Sequence, residues 1–108
     1  MARRLNRGDV HLYPFSAPDK LRPVVVLTRD SSVGNLSTVT VAPIISTIRA
    51  VASAVALSID DGMKGPCAVS LHNLQTVSQD RLGKWVTRLS AQRMREVCAA
   101  LRFSLGCG

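Results

Sequence analysis

Arg22-Pro23-Val24-Val25-Val26-Leu27-Thr28 is the densest β-forming run in this 108-residue chain. Three successive valines, stiff at χ1, suit a pleated backbone better than a helix. The run does not alternate between apolar and polar residues, which predicts a strand buried on both faces. Pro23 has no N–H for a ladder, so it is expected to begin the strand or lie at its edge. Before this run, Arg7 to Tyr13 alternates enough for a first strand, and residues 14–19 carry the Ser, Pro and Asp of a loop. After it, Asp30 to Ser37 forms a polar loop and Thr38 to Ile45 a third strand. Residues 46–50 loop out. Ala52 to Ile59 alternates as a fourth strand with Val55, Leu57 and Ile59 on one face. Asp60-Asp61-Gly62 marks a turn that Lys64-Gly65-Pro66 continues. Cys67 to Leu71 and Asn73 to Val77 are short strands or one bent strand, and Trp85 to Leu89 is another. Ser90 is the expected N-cap of a helix from Ala91 to about Leu105, with Gly106 as its stop. Met94, Val97, Cys98, Leu101 and Leu105 recur at helical spacing and form its predicted core face. Short strands followed by one helix predict a small, strongly bent antiparallel barrel with the helix against it.

Residues 1–108 are one domain's worth of chain. Hydrophobic residues make up 46% and aromatics only 4%, so the core is expected to be aliphatic. A domain this small buries about two-thirds of its unfolded surface, and a homodimer would add burial. No apolar run approaches the roughly 18–20 residues of a bilayer span, and Arg3-Arg4 is not followed by an apolar segment. The expectation is a cytoplasmic protein without membrane contact. Cys67, Cys98 and Cys107 are an odd, widely spaced set, and His11 and His72 lie far from metal-ligand spacing. Reduced thiols and no metal site or cofactor are expected.

Fourteen Lys and Arg against seven Asp and Glu give a formal charge of +7. The cations are dispersed, which predicts a positive face assembled by folding and a polyanionic or acidic partner. Phosphate loops of the G-x-x-x-x-G-K-[ST] or G-x-G-x-x-G type are absent. Glu96 is the only glutamate, too few acids for a two-carboxylate or two-metal nuclease. A serine triad would have only His11 or His72 as base and lacks a nucleophile elbow. Metal-free RNA cleavage stays chemically open, because RNA carries its own nucleophile, the 2′-hydroxyl. Arg22 ends a polar loop just before a rigid strand. Position alone makes it either a phosphate-binding arginine or an ordinary surface residue.

Taken together, the motifs resemble the MazF/PemK toxins. Arg7-Gly8-Asp9-Val10, a loop, then Arg22-Pro23-Val24-Val25-Val26 follows their opening pattern R-G-[DE]-[VI] … R-P-V-[VL]-V. Val41-Ala42-Pro43-Ile44 is similar to their third strand and Asn73-Leu74-Gln75-Thr76-Val77 to a late strand. Arg88-Leu89-Ser90 before the helix is similar to their ending. The resemblance implies an SH3-like small β-barrel, a homodimer, and a type II toxin that is held by a cognate acidic antitoxin. It also implies metal-independent, sequence-selective cleavage of single-stranded RNA, in which Arg22 stabilises the transition state and moves a proton.

One departure concerns the site itself. Where the family has threonine after its V-x-P-[IVL] strand, this chain has Ile45, followed by Ser46 and Thr47. Thr47 shares the strand parity of Ile45 and would serve if the strand continues; Ser46 would serve if it ends or bulges there. The alternatives are an enzyme relying on Arg22 alone or a weakened nuclease, in effect an RNA-binding relative. Lys20 stands where a positioning glutamate is common, implying phosphate contact or altered base preference. His72, Asn73 and Gln75 are candidate base readers, and Arg29 and Arg49 candidate phosphate contacts. The gyrase-poisoning CcdB toxins share the expected fold, but their Trp-Gly-Ile-like end differs from Leu105-Gly106-Cys107-Gly108 here.

Overall fold

The computed structural model describes residues 5–14, 21–29, 37–46 and 51–107. Val24, Val25 and Val26 are all fully buried, and they enter two different cores. Val25 joins Val10, Ala42, Ile44, Val69 and the helix residues Val97 and Ala100. Val24 and Val26 join Leu5, Tyr13, Val39, Val41 and Val77 on the opposite side. A strand's side chains alternate between faces, so an unbroken valine run is what a sheet covered on both sides requires.

Around this strand, β2 (Leu21–Val26), lie six others: β1 (Asp9–Pro14), β3 (Thr38–Ile45), β4 (Ala54–Leu57), β5 (Cys67–Ser70), β6 (Gln75–Ser78) and β7 (Trp85–Arg88). All pairings are antiparallel, in the order β4-β5-β3-β2-β1-β7, with β6 also on β3. β3 carries the curl. Its first half, Thr38 to Val41, pairs with β6, and its last two residues pair with β5. Pro43 falls in the gap between those ladders, where its missing N–H removes no bond. The result is a curled antiparallel half-barrel closed on one side by the C-terminal helix, α1 (Ala91–Leu105), as the strand-then-helix order predicts.

Pro23 is not at the strand start. β2 begins at Leu21, but its pairing with β3 begins only at Val24, so the proline is tolerated beyond that ladder's end. The fourth strand is also shorter than its alternation suggests. Ser58 caps a single 3₁₀ turn, Ile59–Asp61, accepting from the Asp60 N–H, and Gly62 ends that turn at φ 90°. Ile59 therefore leaves the face of Val55 and Leu57 and is 67% exposed. Helix α1 keeps its expected bounds: Ser90 Oγ accepts the Arg93 N–H at 3.1 Å, and Gly106 takes the left-handed conformation. Its buried residues are Val97 and Ala100, whereas Leu105 is exposed.

The Arg7-Gly8-Asp9 segment is structural. Buried Asp9 accepts from the Asn6 N–H at 3.0 Å, Arg88 Nε at 2.9 Å and Trp85 Nε1 at 3.4 Å. Arg7 Nε donates to the Leu27 carbonyl and its Nη2 to Cys98 Sγ, joining β2's end to the helix. Cys98 is half-buried and acts there as an acceptor.

Candidate active site

Arg22 lies near the start of β2, opposite Tyr13 of β1, with its side chain exposed. It opens onto a cavity of about 330 Å³ lined also by Ile45, Ser46, Val51, Ala54, Ala68, Ser70 and His72. Strand β3 ends at Ile45, and Ser46 forms a bend that turns onto the cavity rim. The pairing of β4 with β5 sets Ala54 opposite Ser70 and so brings the opposite wall together.

That wall holds the densest polar cluster of the pocket. His72 Nδ1 is 2.9 Å from Ser53 Oγ, and its Nε2 is 3.2 Å from Ser70 Oγ. Asn73 Nδ2 donates to Ser70 Oγ at 3.1 Å. Ser70 is fully buried, whereas His72 and Asn73 are exposed. A buried hydroxyl surrounded by partners is a fixed point, and the imidazole is held against it from the solvent side.

Among the described residues no carboxylate lines the cavity. A serine triad needs an acid to orient its histidine, and His72 has serines on both nitrogens instead. Arg22 has no ion-pair partner among the described residues, whereas Arg88 pairs with Asp9 and Arg93 with Asp61 and Glu96. A guanidinium without an acid beside it among the described residues is suited to a phosphate. Among the described residues no three His, Cys, Asp or Glu side chains gather as a metal site. His11 is buried away from this pocket, with Nδ1 2.9 Å from the Gly83 carbonyl.

Of the residues singled out from sequence, Arg22, Ser46 and His72 meet in one cavity, and Asn73 reaches it through Ser70. Arg29 is exposed beyond the end of β2, and Gln75 is exposed on β6 opposite Val41; neither lines the pocket. Lys20, Thr47 and Arg49 lie outside the described residues. Ser53 and Ser70 were not identified from sequence. Nothing in a lone serine at a strand end distinguishes it until the sheet register sets it beside a histidine.

Residues 6–105 match the family model of the PemK-like, MazF-like toxins of type II toxin–antitoxin systems. The chain belongs to this family. A probable endoribonuclease MazF2 of Mycobacterium tuberculosis is 33% identical over 95% of this toxin-family chain and all of its own length. A probable endoribonuclease MazF5 of the same species is 40% identical over 80% of each chain. The solved M. tuberculosis toxin MazF-mt6 superposes with a TM-score of 0.84 at 32% identity, covering 93% of this chain and 98% of its own. A mycobacterial endoribonuclease solved with its cognate antitoxin reaches a TM-score of 0.87 at 21% identity, covering 96% of this chain and 97% of its own. At that identity the likeness concerns the fold.

Proposed function

We propose that this chain is the endoribonuclease toxin of a type II toxin–antitoxin pair, cutting single-stranded RNA at the pocket of Arg22. The observation that carries the reading is an arginine that, among the described residues, has no ion pair and lines a cavity without a carboxylate, on a chain of the PemK-like, MazF-like toxin family. The relatives' endoribonuclease names support the same activity.

Chemically, the RNA 2′-oxygen attacks the adjacent phosphorus, the bond to the 5′-oxygen breaks, and a 2′,3′-cyclic phosphate remains. Arg22 holds the phosphate oxygens as negative charge builds on them. Ser46 supplies the hydroxyl that Ile45 lacks. Thr47 would add a second. Lys20, Arg29 and Arg49 contact phosphates along the strand, and Asn73 and Gln75 read base edges. The toxin works as a cytoplasmic homodimer with RNA across the basic groove, and a cognate acidic antitoxin covers that groove. No metal enters this route.

Incubation of the purified protein with a long mixed-sequence RNA in EDTA tests the reading. Discrete fragments ending in cyclic phosphate are expected, and primer extension maps their sequence. Intact RNA from a well-folded protein would sink it. Ile45 favours a second reading, an RNA-binding relative with little turnover, which predicts binding without fragments.

A further inference from the structure

We infer that His72 is the proton-transfer residue of this pocket, taking the 2′-hydroxyl proton, a step that the family resemblance implied for Arg22. The inference rests on the RNA-cleavage reading above and assigns a step within it. It follows by elimination among the described residues that line the cavity. Isoleucine and the alanines carry no exchangeable side-chain proton. Arg22 is the one charged group among the described residues that line the cavity, and a guanidinium has no lone pair that accepts a proton. The hydroxyls of Ser46 and Ser70 are not bases, whereas a neutral imidazole offers a ring-nitrogen lone pair to a proton.

Its mounting fits the role. Ser70 Oγ is buried and held by the Asn73 amide, so it is an anchor for Nε2. The contact between Nδ1 and Ser53 Oγ is exposed, so a substrate hydroxyl can replace the serine there. With its proton on Nε2 and shared with Ser70, the ring has the Nδ1 lone pair free for substrate. The 2′-O–H bond then breaks and its proton passes to Nδ1, while the 2′-oxygen forms a bond to phosphorus. The 5′-oxygen leaves with the electron pair of the old P–O bond and takes a proton from water. The hydroxide so formed receives the proton from His72, which returns to its neutral state. A residue that only reads a base needs no such anchor on its second nitrogen.

The test uses an RNA that the wild-type protein cleaves and a copy with 2′-deoxyribose at the cleaved nucleotide. His72→Gln retains hydrogen-bonding capacity but cannot carry a proton. It is expected to lower kcat by about 10²–10⁴-fold, leave the Kd of the deoxy copy within about twofold, and abolish the ascending limb of the pH–rate profile. His72→Ala is expected to regain rate with added imidazole. Ser70→Ala removes the anchor but not the base, so it keeps the limb and moves its midpoint; an unmoved midpoint overturns the anchoring role. A His72→Gln protein with wild-type kcat and an intact limb overturns the inference and leaves the nuclease reading standing. A loss of affinity equal to the loss of rate makes His72 a base reader and also overturns it. No cleavage by the wild type overturns both readings.

Discussion

At Arg22 the demands of folding and of chemistry separate. Its neighbours Val24 to Val26 are buried in two cores, but its own side chain is exposed and without an ion pair among the described residues. Arg22→Ala should therefore leave the melting temperature unchanged and lower kcat by about 10²–10³-fold, the usual effect of removing one transition-state donor. Ser46→Ala should cost less, because a hydroxyl on the rim is one donor among several. Single-turnover kinetics beside thermal denaturation separates the two effects; a fall in stability matching the fall in rate would contradict the assignment to Arg22. The importance of Arg22 was legible in sequence through its motif. Position alone gave a phosphate-binding or a surface arginine, the surface residue being the commoner case. Ser53 is 19 residues from His72, and no local pattern links them. Only the β4–β5 register does.

Among the elements, the helix was the most legible and the Ile59–Asp61 turn the least. Ser90 and Gly106 mark the ends of α1 by side-chain chemistry that acts locally. Ile59 continues an apparent alternation, yet Ser58 and Asp61 close a reciprocal cap that ends the strand before it. Asp61 then reaches across to Arg93 of α1 at 2.9 Å. Burial pushes its carboxyl up, but the hydrogen bonds from Arg93 and the Ser58 N–H, together with the guanidinium charge, outweigh this and hold it below the usual range. Arg93 is raised in turn, first by the Asp61 contact and then by Glu96. A carboxylate whose folded pKa is depressed adds stability above its unfolded pKa of about 3.9 and loses it as pH falls through the folded value. Asp61→Asn should therefore lower stability by about 1–2 kcal/mol at pH 7. The gap to wild type should close toward pH 3 in urea titrations. A gap that stays constant with pH would show that the pair contributes no linkage.

For the whole molecule, the +7 charge is the property with the longest reach. Among the described residues the ion pairs consume Arg88 and Arg93, whereas Arg22 and Arg29 have no such partner there to compete with a polyanion. Affinity for an uncleavable RNA should fall with salt, log K against log salt having a slope of about −0.7 per phosphate contacted. Arg29→Ala should reduce that slope by about one contact and leave the cleavage motif unchanged, measured by fluorescence anisotropy and primer extension. An unchanged slope would remove Arg29 from the RNA path. The sequence by itself determined the succession of short strands and a terminal helix along the chain, the caps of that helix and the burial of β2 on both faces. Those follow from side-chain branching, proline and glycine chemistry and periodicity, which act within a few residues. The tertiary structure decided where β3 leaves β6 for β5, and that Ile59 and Leu105 stay in solvent. It also decided that Arg22 shares a cavity with a histidine held between two serines. These outcomes depend on the register of strands distant in sequence, where a shift of one residue would turn every side chain to the other face.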